Sequence, residues 1–96
     1  MTATQGYAGA LELSLTNGEV LGVVTASIED LDAPVWSAES PDPINLERID
    51  PGGETVTVTL ANGAHPRSGQ VATAHLELRN EVIRLAGNYG FHAKER

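Results

Sequence analysis

The chain has no cysteine. Disulfides, thiolate metal centres and cysteine nucleophiles are therefore excluded. A reducing compartment suits such a chain, and the expectation is a cytoplasmic protein. Cations are scarce as well: six Lys plus Arg stand against thirteen Asp plus Glu, for a formal net charge of −7. Binding to a nucleic-acid duplex needs clustered cations that displace counterions, and none cluster here, so no nucleic-acid partner is expected. No apolar run approaches the ~18 residues of a membrane helix. The opening Met-Thr-Ala-Thr-Gln-Gly lacks the basic start and apolar core of a secretion signal. A membrane partner is likewise not expected. Helical periodicity is also missing, with no convincing amphipathic stretch longer than two turns.

What is present is alternation. In "SLTNGEVLG", residues 14 to 22, Asn17-Gly18 lies between two apolar runs. Asn-Gly tolerates the positive φ that a two-residue hairpin turn demands. That turn sets Leu15 opposite Val20, Leu13 opposite Gly22 and Leu11 opposite Val24. The face with Leu11, Leu13 and Leu15 then also carries Val20, Val24, Ala26 and Ile28. Leu21 and Val23 point the other way, so the second strand is apolar on both sides and needs cover from a loop, a second layer or a partner chain.

"ETVTVTL", residues 54 to 60, sets Val56, Val58 and Leu60 on one side and a threonine ladder on the other. It follows the turn cluster Asp50-Pro51-Gly52-Gly53. Residues 44 to 49 read as its hairpin partner. A short helix capped by Asp42 is the rival there. "GQVATAHLELRN" and "EVIRLAGNYGF" make a last hairpin that turns at Arg79-Asn80 or Asn80-Glu81. Its inward residues are Leu76, Leu78, Ile83, Leu85, Gly87, Tyr89 and Phe91. Thr73, His75, Glu77, Val82 and Arg84 face outward. One register sets Arg84 across from Glu77, where an ion pair is its simplest role.

The predicted fold is all-β: a single small domain, an antiparallel meander of five or six strands closing into a barrel or a two-layer sandwich. Residues 1–5 form a flexible N-terminus, 6–91 the β-domain and 92–96 a polar tail.

Candidate sites are few. Residues 29 to 43 read as a connection with five acids, three prolines and no base. Asp30, Asp32, Glu39 and Asp42 could offer oxygens to calcium, but the loop has no glycine for the sharp turn that a wrapping site uses. Trp36, the only tryptophan, reads as a plug for the open end of a barrel before it reads as a partner contact. His65, His75 and His92 show neither strand nor helix ligand spacing, so no metal site is assigned. Ser68 lies near His65 and Arg67, but in a hairpin loop and not at the strained turn of a nucleophilic serine. "GNYG" precedes no helix and cannot cradle a phosphate. No catalytic residue is assigned and no cofactor is expected.

"GYAGALELSLTNGEV" at 6 to 20 and "VIRLAGNYGF" at 82 to 91 resemble the start and end of a small uncharacterised actinobacterial β-domain, often appended to flavin-dependent monooxygenases. This chain lacks the Pro-Pro that precedes the final Phe in that domain, and the mid-domain Trp segment is not recognisable. The resemblance implies an accessory β-domain without assigned chemistry.

Two functional expectations follow. The first is a non-catalytic interaction or accessory module that binds a protein partner or pairs as a homo-oligomer, motivated by Leu21 and Val23. The second is a small-ligand barrel, possible as a biosynthetic enzyme, with Trp36, Tyr89 and Phe91 lining space left by Gly22 and Gly87.

Overall fold

The computed structural model describes residues 6–40, 53–79 and 82–93. Six strands make up the fold: β1 (Tyr7–Leu15), β2 (Val20–Ile28), β3 (Trp36–Ser40), β4 (Glu54–Leu60), β5 (Val71–Arg79) and β6 (Val82–Gly87). They form one antiparallel sheet in the order β2-β1-β4-β5-β6-β3, nearly closed into a barrel. The end strands β2 and β3 are consecutive in sequence and lie against each other, so each edge is covered by its neighbour.

The connectivity is not a simple meander. β4 pairs with β1, from Leu11 opposite Leu60 to Leu15 opposite Val56. The proposed hairpin partner of β4, residues 44 to 49, lies outside the described residues, as does the turn at 80 and 81. The stretch 29 to 43, read as a connection, contains β3. "WSAES" buries Trp36, Ala38 and Ser40 and exposes Ser37 and Glu39. Alanine and serine on its inner face hid the alternation that marks a strand.

The first hairpin departs from the expected turn in an instructive way. Its loop has three residues, with Leu15 N–H donating to Glu19 O at 2.7 Å and Gly18 N–H to Leu15 O at 2.9 Å. Gly18 takes the left-handed position, φ 94°, as three-residue loops of this kind require. The Asn17 side chain accepts from Glu19 N–H at 2.9 Å. This turn shifts the register by one residue, so Ser14 stands opposite Val20. A bulge at Leu21 then restores it, and Leu13 faces Gly22 and Leu11 faces Val24. Between the two irregularities the faces swap. Leu21, expected outside, is 5% exposed, and Val20, expected inside, is 55% exposed.

The interior holds the predicted residues. Leu11 and Leu13 of β1, Val24 of β2, Val56 and Val58 of β4, Leu76 of β5 and Ile83 and Leu85 of β6 converge with almost no solvent contact. Each such burial favours folding by about 1.5–3 kcal/mol. Besides Val20, two expected core positions lie outside. Leu78 is half exposed because β4 pairs with β5 only as far as Glu54 opposite Leu76. Tyr89 is exposed because β6 ends at Gly87 and the chain turns, which breaks the period of two before Phe91 re-enters the core.

Candidate functional site

One end of the barrel gathers the loops 29–35 and 61–70 and the segment 88–93. Trp36, at the start of β3, stands opposite Gly87. Its indole lies against the Gly87 backbone in the space a β-carbon would take. The indole N–H donates to the Tyr89 carbonyl at 2.8 Å. Its ring centre is 5.0 Å from that of Phe91. Phe91 N–H donates to Leu31 O at 2.8 Å, and His92 and Val71 exchange two backbone bonds.

Arg67 ties the same end together. Its guanidinium donates to Gln70 Oε1 at 2.7 Å and to Phe91 O at 2.8 Å, and meets Asp32 Oδ1 at 2.8 Å. Nearby, the Tyr7 hydroxyl donates to Ala10 O and accepts from Asn62 N–H at 2.9 Å, while His65 meets the Tyr7 ring edge-on. The His65 nitrogens are engaged by Arg67 N–H and the Gly6 carbonyl, and the Ser68 hydroxyl turns to Leu60 O. His65 and Ser68 therefore do not form a nucleophile–base pair.

Trp36 and Phe91 are buried parts of this closure and offer no contact surface on the intact fold. Leu21 is also core. Val23 and Tyr89 are the two candidate residues that face solvent, at 52% and 76% exposure; Val23 lies on β2 and Tyr89 in the turn after β6. Trp36, Phe91 and Tyr89 do not surround a common interior space. The room at Gly87 is filled by the indole, and Tyr89 is outside. The acids of the 29–43 stretch do not converge either. Asp30 accepts from Asp32 N–H at 3.0 Å, Asp32 meets Arg67, and Glu39 points to Arg84 at 3.9 Å. Asp42 lies outside the described residues. Among the described residues no three His, Asp or Glu side chains are grouped to hold a metal ion.

The outer wall divides into two unlike regions. Over β2, β1 and β4 the outward residues include Val20, Val23, Ser14, Thr57 and Thr59, with Glu12 on β1 and the exposed Glu19 beside Val20 at the hairpin tip. Over β5, β6 and β3 they include a row of charges. Glu77, Arg84 and Glu39 stand in one row across the three strands. His75 Nε2 lies 3.3 Å from Glu77 Oε1.

Two clefts meet on that second region, at the cross-strand pair His75 and Ala86. The smaller, about 220 Å³, runs over Glu77, Arg84 and Glu39. The larger, about 480 Å³, is lined by Thr55, Thr73, His75, Asn88 and Tyr89. Sequence reasoning had placed Thr73, His75, Glu77 and Arg84 outward, but it missed the wall formed by Asn88 and Tyr89. Only the end of β6, set by the turn after Gly87, puts them there.

No protein-family model, curated protein or solved structure matches the chain.

Proposed function

We propose that this domain is a non-catalytic interaction module whose contact face is the sparsely charged wall over β2, β1 and β4. The observation that carries the reading is the pair Val20 and Val23, both more than half exposed on a sparsely charged face. Leu21, the other half of the original motive, serves the domain's own core and drops out.

The occupant is a different protein, apolar where it meets the valines and cationic around that patch. A chain of net charge −7 repels a second copy of itself and attracts a basic surface. The accessory role implied by the resemblance in the first and last strands is part of the same proposal. So is a cytoplasmic setting, for which the absence of cysteine is the support.

The test compares capture from a lysate of the source cells by the wild type and by Val20→Glu and Val23→Glu. One identified protein should be retained by the wild type, released by rising salt, and lost from both variants while their melting temperatures hold. Capture that ignores both substitutions overturns the reading. So does concentration-dependent dimerisation of the pure domain through this face, which would make the partner a second copy.

A further inference from the structure

We infer that the larger outer cleft, between Tyr89 and His75, binds a neutral polyhydroxylated ring: a saccharide. The first support is the way Tyr89 is held. The residue is 76% exposed, yet its backbone is fixed. The carbonyl of Tyr89 takes the bond from the buried Trp36 indole, and Phe91 two residues later is anchored to Leu31. Gly90 lets this segment press against the 31–32 backbone, where a β-carbon would lie 2.9 Å from Leu31 O. The fold thus fixes the position from which an aromatic ring projects into water. Ordering a solvated ring gains the domain little by itself. A preorganised aromatic platform lowers the entropic cost of binding a ligand against it.

The second support is the lining. Thr55 of β4, its cross-strand neighbour His75, Thr73 of β5 and Asn88 line the cleft. These groups both donate and accept hydrogen bonds, as vicinal hydroxyls require. Among the described residues no carboxylate, lysine or arginine lines this cleft; the charged row lies beyond His75 in the smaller one. A phosphate or carboxylate ligand would find no lysine or arginine here, which turns the choice from nucleotides towards neutral sugars. One aromatic wall suits a sugar, whose apolar C–H face stacks on a single ring while its hydroxyls meet the polar lining. The volume, about 480 Å³, lies within the ~300–1,000 Å³ usual for small-molecule sites.

The site touches the proposed protein-contact face at Thr55 of β4 and lies two strands away from Val23. Its test uses ¹⁵N-labelled domain titrated with cellohexaose, maltohexaose, xylohexaose and chitohexaose through the millimolar range. With at least one of them, the Asn88 side-chain amide and the Trp36 indole N–H should shift saturably, the latter through the Tyr89 carbonyl. Tyr89→Ala should weaken that binding by about tenfold or more. Thr73→Val, which keeps shape and loses the hydroxyl, should weaken it as well, while Val23→Glu should leave it unchanged. Absence of saturable shifts with all four sugars overturns the inference, as does binding that survives Tyr89→Ala.

Discussion

The indole of Trp36 occupies the place of a side chain at Gly87, the residue directly opposite it on β6. Cross-strand neighbours here fit as one large group and one missing group. A methyl at position 87 would have to displace the ring, and with it the bond to Tyr89. Gly87→Ala should therefore destabilise the domain by about 1–3 kcal/mol through overpacking. Urea unfolding followed by Trp36 fluorescence measures it. An unchanged midpoint would show that the ring does not sit there.

The bulge at Leu21 makes a sharp contrast between near neighbours. Leu21→Ala empties a core position and should cost about 2–5 kcal/mol. Val23→Ala removes a side chain that is half in water and should stay within about 0.5 kcal/mol. Paired denaturation curves decide. The reverse ranking would mean that the hairpin follows the two-residue turn, with Leu21 outside.

Arg67 should matter more than its ion pair. Asp32 is 66% exposed, so Asp32→Asn should cost no more than about 1 kcal/mol. Arg67→Met also loses the bonds to Gln70 and the Phe91 carbonyl and should cost about 1.5–3 kcal/mol. Thermal melts at low and high salt separate the two: the Asp32 effect fades with salt and the Arg67 effect persists. Equal losses for both variants would argue that the guanidinium acts only through the carboxylate.

The two loop glycines Gly18 and Gly63 should respond with opposite sign. Both have open space around them, but only Gly18 is held at a left-handed φ. Gly18→Ala should destabilise by about 1 kcal/mol. Gly63→Ala should be neutral or stabilise by about 0.4–1 kcal/mol, because it restricts the unfolded chain. Calorimetry on both variants is sufficient, and a matching loss at the two sites would contradict the turn geometry.

The strands that could be read from the sequence are those with Leu, Val or Ile at every second position. β1, β4 and the β5–β6 pair announce themselves in this way, and the row of Glu77 against Arg84 came with them. β3 was hidden because Ala38 and Ser40 carry its inner face, and small residues give no contrast with the serine and glutamate outside. The Leu21 inversion was hidden for a different reason. A bulge is a choice between pairings one residue apart, and "VLGVV" is apolar under either choice. Pairing of β1 with β4 was not legible at all, since local spacing says nothing about which distant strand completes a sheet. The larger outer cleft needed all three pieces: the length of β6, the turn after it and the neighbouring strands.

The crossover from β3 to β4 divides the chain into two halves. β1, β2 and β3 precede residues 41–53, and β4, β5 and β6 follow them. Among the described residues the halves share two ladders, β1 with β4 and β3 with β6, and the contacts that Trp36, Leu31, Asp32 and Tyr7 make with Tyr89, Phe91, Arg67 and Asn62. Each of these contacts can be remade by the matching half of another molecule. The barrel is thus built for fragment complementation, and at high concentration domain swapping would reproduce both ladders without a new interface.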